Sequence, residues 1–345
     1  MKKLLNLLKK SPFFFINIIM IRFRTVFFYS IYKLISFFFD SKQLRKFISL
    51  KLSTRKQSIL EITAQIGCTM MCSYCPQTLI VSEAREKNVE KIMDLENFKK
   101  MLNNVSQNTL ISWAGYTEPL LHSNFIDFVE FANEKGFVQT INTTMHGKND
   151  CQAYMSKTNV FRSVGFHLPD NEGLMKLSVK DSYLAYLDKA IRHQSKILNK
   201  ANVDIKIIGD KPHFKIQELL NKLCDEKVID KKQILSNKKI SSRNSYIDQK
   251  KGNYKFFSYF KNKSKKLLNN KPLYYCSYRR LKSNVLTPNG EVNICCNDYS
   301  LGYSLGNLIN EKLDVLQKHE KLIEQTDFLN GEMNVCSKCE YYKSI

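Results

Sequence analysis

Three cysteines fall within eight residues, in Cys68-Thr-Met-Met-Cys72-Ser-Tyr-Cys75, followed by Pro76 and Gln77. Thiolates are soft ligands, and a short loop with this spacing can wrap a single inorganic centre. Three protein ligands on a tetrahedral or cubane centre leave one coordination position open. A catalytic metal site keeps such a position and a structural one closes it. The spacing is neither that of the bacterial ferredoxin run nor that of a zinc-finger pair. A second set follows near the C-terminus: Cys276, Cys295, Cys296, then Cys336-Ser-Lys-Cys339. Four thiols from three segments can close a complete shell about one centre. Cys276, Cys295, Cys336 and Cys339 are the expected ligands, with Cys296 as the alternate for Cys295. A zinc ribbon would use the same four. Cys151 and Cys224 stand apart from both sets and read as buried small side chains.

The C-x-x-x-C-x-x-C run resembles the signature of radical S-adenosylmethionine enzymes, and Tyr74, the aromatic before the last cysteine, fits that pattern. The resemblance implies that Cys68, Cys72 and Cys75 hold a 4Fe-4S cluster whose fourth iron binds the amino and carboxylate groups of S-adenosylmethionine. It implies that an electron from the cluster splits the sulfonium to a 5'-deoxyadenosyl radical, which takes a hydrogen atom from a substrate. Tyr74 would then lie near the adenine. Gly115-Tyr-Thr-Glu118-Pro119 is similar to the family's Gly-Gly-Glu-Pro element, which receives the amino group of S-adenosylmethionine. Here Tyr116-Thr117 stands in place of the second glycine. Glu118 either adds a charge-assisted acceptor or is an ordinary carboxylate at a helix N-terminus.

The C-terminal layout resembles the SPASM/twitch extension of the same family, in which a cysteine precedes a Gly-x-x-x-x-Cys hairpin. Gly290 to Cys295 has that form. The full extension carries more cysteines and two auxiliary clusters, so the resemblance implies a shorter version with one auxiliary 4Fe-4S cluster. The four-cysteine spacing looks like that of aminocyclitol dehydrogenases. Cys295-Cys-Asn-Asp298-Tyr with Gly306-Asn307-Leu308 looks like SPASM proteins associated with surface-polysaccharide genes. The resemblance covers residues 57–345.

The elements that must position these residues alternate in type. Strands are expected at 57–66, Thr109–Gly115, Val138–Thr144, Ser163–Leu168, Val203–Ile208 and near 232–241. Helices are expected at 94–105, 123–135, 181–199 and 214–226. Gly136 sits where a left-handed residue stops a helix. Such alternation argues for a parallel sheet with right-handed crossovers. Six units fit an α/β fold, a partial (β/α)6 TIM-like barrel of the radical S-adenosylmethionine type. To it the chain would add a small C-terminal iron–sulfur extension and a helical, basic and aromatic N-terminal segment.

In parallel barrels reactive residues sit at the C-terminal strand ends. That rule selects Asn142, Thr143 and Thr144, for the ribose or carboxylate of S-adenosylmethionine or else as strand-end caps. It selects His167 as a positioning group. It also selects Arg243, for a carboxylate or substrate oxygen or else a surface salt bridge. Pro288-Asn-Gly290-Glu reads as the turn of a hairpin that pairs Asn284–Leu286 with Val292–Ile294. This brings Cys295 beside Cys276. Asp298, just past it, is the candidate catalytic base or a turn-capping aspartate. A helix at 310–325 precedes the last cysteine pair.

The chain has 345 residues, enough for a large domain and a smaller one, and a formal charge of +22. Residues 1–56 hold thirteen Lys and Arg against one acid, Asp40. The charge is either a solvated basic composition or the mark of an anionic partner. No base-reading motif is present, so nucleic acid ranks last. The longest apolar-rich run, Phe13 to Ile21, is far short of the roughly 20 residues of a spanning helix. Residues 1–56 read as a basic amphipathic helix lying on a membrane surface, or as a helical hairpin packed on the protein's own body. Residues 57–245 read as the barrel, 246–272 as a basic linker or lid, and 273–345 as the auxiliary-cluster domain. Clustered rather than dispersed cysteines and an air-sensitive cluster point to the cytoplasm, with a peripheral place on the inner membrane face as the alternative.

The leading functional reading is a radical S-adenosylmethionine oxidoreductase that dehydrogenates a sugar, aminocyclitol or glycan precursor, with flavodoxin or ferredoxin as electron donor. A maturase of a ribosomally made peptide is the runner-up. A metal-stapled scaffold at the membrane, without catalysis, is the third.

Overall fold

The computed structural model describes residues 42–198, 202–237, 274–277, 281–318 and 341–344, together with Ser30, Cys336 and Cys339. Arg243, the expected linker 246–272, residues 319–325 of the expected helix 310–325 and most of residues 1–41 lie outside these; of that helix the described part forms only the short turn Leu313–Leu316.

Six strands run parallel in chain order: β1 (Thr54–Ile62), β2 (Leu110–Trp113), β3 (Gln139–Thr143), β4 (Phe161–Leu168), β5 (Val203–Ile208) and β6 (Ile234–Asn237). Between them lie α2 (Gln77–Glu86) and α3 (Leu95–Asn103), α4 (Phe125–Glu134), α5 (Asn149–Met155), α6 (Asp181–Ile197) and α7 (Phe214–Asp225). An additional helix, α1 (Lys42–Ser53), runs directly into β1. The alternation of strand and helix is the one expected of a partial (β/α)6 barrel. The four helices expected between strands (α3, α4, α6 and α7) and all six strands fall within a few residues of their expected places. Among the described residues the sheet runs from β6 at one end to the C-terminal strands at the other and does not close.

Each strand shows alternate residues to the two faces. One face is apolar and takes the helices: Leu60, Ile62, Ile111, Trp113, Ile141, Phe166, Leu168, Ile205 and Ile207 are all buried. Trp113 anchors this layer. Its ring centroid lies 5.9 Å from Phe98 of α3 and 5.7 Å from Phe125 of α4, and its Nε1–H donates to Gln139 Oε1 at 2.7 Å. An indole buried with its polar tip satisfied is the arrangement such a ring needs. The opposite face is polar. The registers Glu61↔Ser112, Ser112↔Thr140, Asn142↔Gly165 and His167↔Lys206 place these residues on it side by side.

Three further strands extend the sheet beyond β1. After the short β7 (Tyr274–Cys276) come β8 (Leu281–Leu286), β9 (Glu291–Asn293) and β10 (Ser304–Asn307). The hairpin forms as expected, with Val285↔Asn293 and Leu286↔Val292, and Gly290 takes the left-handed φ of 88° that its turn requires. Two features depart from expectation. β8 pairs parallel with β1, from Ile59↔Ser283 to Ile62↔Leu286, so one sheet holds strands from both sides of the expected boundary. Likewise β1 begins at Thr54 rather than Gln57. The preceding Ile48, Ser49, Leu52 and Ser53 are buried. Last come α8 (Leu313–Leu316) and β11 (Tyr342–Ser344), which pairs antiparallel with β7 through Tyr342↔Cys276. No helix among the described residues is long and apolar enough to cross a membrane.

Candidate functional site

The loop that leaves β1 carries Cys68, Cys72 and Cys75 to the C-terminal edge of the parallel strands. Cys75 N–H closes a tight turn onto Cys72 C=O at 3.0 Å, and Met71, just before Cys72, is held at a left-handed φ of 44°. Met70, Cys72, Tyr74 and Met175 form a small buried cluster of their own, with Cys68, Cys75 and Leu174 packed against it. Burial pushes the Cys72 thiol up to about 11, the neighbouring Cys75 and Cys68 adding to the effect, and burial also raises Cys68. Thiolates crowded into one buried loop oppose one another's charge, which is the electrostatic setting that a cationic centre relieves. The donor set therefore fits a thiolate-bound cluster.

Three neighbouring segments brace this loop. After β4, the buried Asp170 carboxylate accepts from the main-chain N–H groups of Glu172, Leu174 and Met175, at 3.1, 2.8 and 3.2 Å. The turn so shaped gives its Leu174 carbonyl to Ser73, which donates both its N–H and its hydroxyl at 2.9 Å. After β2, Gly115 takes a φ of 71° and lies against Thr63, whose Oγ1 accepts from Tyr116 N–H at 3.1 Å; a Cβ on Gly115 would run into that oxygen. Third, Gln77, buried at the first turn of α2, lies between Cys68, Cys75 and Tyr116.

Glu118 and the end of β3 form one unit. Oε1 of Glu118 accepts from Thr143 Oγ1 at 2.6 Å and from Leu120 N–H at 3.2 Å. Oε2 accepts from Thr144 N–H and from Thr144 Oγ1, both at 2.7 Å. Burial raises the Glu118 pKa while these donors pull it down. Four donors on two oxygens fill a carboxylate's capacity. Glu118 caps the short 3-10 turn Pro119–Leu121, and the two threonines hold Glu118. Asn142 lies on the polar face over Gly165, and Lys206 Nζ comes within 3.7 Å of the place a Gly165 Cβ would fill.

The second cysteine set gathers around the hairpin. Cys276, Cys295 and Cys336 all pack against the main core. Burial raises the Cys336 and Cys295 thiols; neighbouring Cys276 and Cys339 add to the rise at Cys336, and Cys296 and Cys336 to that at Cys295. Cys339 N–H bonds Cys336 C=O at 2.9 Å, and Asn297 donates to Cys339 Sγ at 3.6 Å. Cys296 points elsewhere, into a separate cluster with Tyr116, Tyr299, Ile80 and Ala84. Among the described residues no three His, Cys, Asp or Glu side chains are drawn together tightly enough to hold one metal ion.

Residues 276–340 match the SPASM iron–sulfur cluster-binding domain. The match spans all four cysteines of the second set. No curated protein matches the chain in sequence. Among solved structures, the chain is similar to BtrN in complex with AdoMet and 2-DOIA, at 16% identity over 83% of this chain and 94% of that one, with a TM-score of 0.46. It is similar to Streptococcus suis SuiB bound to precursor peptide SuiA, at 14% identity over 86% and 73%, with a TM-score of 0.48. It is similar to anSMEcpe with bound AdoMet, at 17% identity over 81% and 89%, with a TM-score of 0.49. At such scores these state what the chain is similar to and no more.

Asp298, beside the SPASM cysteines, is fully buried and its carboxylate is engaged. It accepts from Ser300 Oγ at 2.9 Å, Gly302 N–H at 3.1 Å and Tyr303 N–H at 2.8 Å. The carboxylate thereby caps the turn that follows Cys295. Burial raises its pKa and these donors oppose the rise. Cys151 is fully buried with its thiol pushed up to about 12, and Cys224 is half-buried, away from both sets. A cleft of about 460 Å³ at the other end of the strands, lined by Lys56, Asn108, Thr109, Lys282, Asp314 and Gln317, shares no residue with either cysteine set. Sequence reading passed over Gln77 and Asp170. Its only available hint at Gln77 was a polar residue opening a helix directly after the third cysteine.

Proposed function

We propose that the chain is a radical S-adenosylmethionine enzyme with a SPASM domain, acting as an oxidoreductase on a sugar, aminocyclitol or glycan precursor. The observation that carries the proposal is the gathering of Cys68, Cys72 and Cys75 in one braced loop at the C-terminal edge of a six-stranded parallel sheet. Catalytic groups of such sheets cluster at that edge. When bound there, a 4Fe-4S cluster supplies the electron that cleaves S-adenosylmethionine and so makes hydrogen abstraction possible.

In this reading Cys68, Cys72 and Cys75 hold the first cluster, and Cys276, Cys295, Cys336 and Cys339 hold an auxiliary one. Tyr74, buried beside Cys72, walls the adenine side. Gly115 leaves main chain open for the amino group, while Glu118, Thr143 and Thr144 fix the loop that presents it. Asn142 and Arg243 remain the candidates for the polar groups of S-adenosylmethionine or substrate. Asp298 shapes the turn after Cys295. The polar sheet face of Glu61, Ser112, Thr140, Asn142, His167 and Lys206 favours a substrate rich in hydroxyl groups. Flavodoxin or ferredoxin would deliver the electron, and any membrane contact would come through the N-terminal segment.

The test is anaerobic incubation of iron-reconstituted protein with S-adenosylmethionine and dithionite. The wild type is expected to release 5'-deoxyadenosine, and a Cys68→Ser/Cys72→Ser/Cys75→Ser variant to release none. Product from the triple variant would sink the proposal. Coupled formation of a carbonyl on an added sugar or aminocyclitol would support the oxidoreductase class, and modification of a peptide instead would overturn it.

A further inference from the structure

Gln77 is a buried amide whose three partners fix its orientation. Cys68 N–H can only donate, so it must face Oε1, which accepts it at 3.0 Å. Tyr116 C=O can only accept, so it must face Nε2, which donates to it at 2.6 Å. The second N–H of the same nitrogen is then directed at Cys75 Sγ, 3.3 Å away. An amide carries two donors and one acceptor oxygen, and here both donors and the oxygen are used. The residue is 3% exposed, so water does not compete for these bonds.

The same amide also reaches the second cysteine set. Tyr116, whose carbonyl it holds, sends its hydroxyl to the carbonyls of Cys295 at 3.1 Å and Asp298 at 2.9 Å. A continuous path of bonds therefore runs from Cys75 Sγ through Gln77 and Tyr116 to the main chain of Cys295.

We propose that Gln77 is a positioning residue that donates an N–H···S hydrogen bond to the sulfur of Cys75, so raising the reduction potential of the cluster bound there, and that links this sulfur through Tyr116 to the SPASM cysteines. The inference rests on the reading of Cys75 as a cluster ligand. Its physical basis is general. A hydrogen bond to a cluster sulfur stabilises the electron-richer state, and such bonds are among the levers by which a protein sets an iron–sulfur potential. Tyr116 occupies the place of a glycine in the element this loop resembles, so the link to Cys295 comes with that departure.

Two variants separate the role from simple packing. Gln77→Glu keeps an oxygen for Cys68 N–H and loses both donors. Gln77→Met keeps the length and loses every polar bond. Each is reconstituted as the full chain, and iron content, melting temperature and the midpoint potential of the first cluster are measured, the potential by redox titration followed by electron paramagnetic resonance. Both variants are expected to shift that potential to more negative values, with the SPASM cluster unshifted. In the wild type, labelling glutamine with nitrogen-15 is expected to add a weak hyperfine coupling to the reduced first cluster. That coupling is read without any variant and so does not depend on their folding. An unchanged potential in iron-loaded variants, or no coupling in the labelled wild type, overturns the proposal. A wild type that binds no iron through residues 68–75 overturns both this proposal and the function on which it rests.

Discussion

The hydroxyl of Tyr116 donates to the main-chain carbonyl of Cys295 at 3.1 Å, tying the loop after β2 to the turn that carries the second cysteine set. The same proton is shared with the carbonyl of Asp298, and the Tyr116 ring lies 5.3 Å from that of Tyr299. The residue is buried, so these acceptors have no water to replace the phenol. Tyr116→Phe keeps the ring packing and removes the bond. It is expected to cost roughly 1–3 kcal/mol, the range for leaving a buried acceptor unsatisfied. Denaturant unfolding measures the loss. Proteolysis should locate the loosening in the segment around Cys295, and a variant as stable as wild type would show the bond to be incidental.

Gly115 is held between its own backbone and Thr63. Its φ of 71° disfavours any side chain, and an added Cβ would overlap Thr63 Oγ1. Gly115→Ala is expected to destabilise by about 2–4 kcal/mol, combining the left-handed conformation with overpacking. The two effects can be told apart. Thr63→Ala removes the clashing oxygen but also the acceptor for Tyr116 N–H. The double variant should therefore be less destabilised than the sum of the two singles by at least about 0.5 kcal/mol. Strict additivity in a double-mutant cycle would show that the strain lies in the backbone alone.

The two adjacent cysteines of the hairpin should differ sharply. Cys295 packs with Cys276 and Cys336 against the main core, and Cys296 faces Tyr116 and Ile80. Reconstituted wild type is expected to hold about eight irons, four for each cubane. Cys295→Ser should lower this toward about four, while Cys296→Ser should leave it near the wild-type value. Iron and sulfide analysis of the anaerobically purified proteins decides between them, and the opposite pattern would reassign the ligand.

Some of this arrangement was legible in the sequence, and the reason the rest was not is physical. The strand–helix alternation from Leu110 to Asp225 has strong periodicity, and Gly136 and Gly290 mark their turns by type alone. Of the two missed helices, α5 (Asn149–Met155) is barely two turns, too few for a face to repeat, whereas α2 (Gln77–Glu86) has ten residues and buries only Gln77, Ile80 and Ala84, a sparse apolar face. The attachment of β8 to β1 pairs residues more than two hundred positions apart, and local pattern carries no information about which edge a distant strand will choose. At the site, the sequence exposed the three clustered thiols and the missing glycine after Gly115. It did not expose what Tyr116, which stands there, bonds to. Gln77 and Tyr116 acquire their roles from partners in other segments. Glu118, Thr143 and Thr144 were each singled out for ligand contact, and folding turns them toward one another.

His122 gives a pH-dependent prediction away from both cysteine sets. It is 1% exposed, its Nδ1 accepts from Asn124 N–H at 3.0 Å, and its ring lies 4.8 Å from that of Phe128. An accepting Nδ1 requires the neutral ring. Burial holds its pKa below the ordinary 6.5; the main chain of Met93 opposes this and the charge of Lys148 adds to it. The unfolded chain therefore takes up a proton at His122 at a higher pH than the folded chain does. The unfolded state binds more protons in that window, so stability rises with pH there. The contribution of His122 is fully present above about pH 6.5 and is lost as pH falls through the lower, folded value. His122→Asn keeps an acceptor near the place of Nδ1 and cannot titrate. It is expected to lose roughly 1–3 kcal/mol at neutral pH through the space it leaves, with the deficit shrinking as pH drops from about 7 to 5 because only the wild type loses stability there. Paired denaturant titrations across that range test this, and a deficit that stays constant with pH would remove His122 from the account of acid sensitivity.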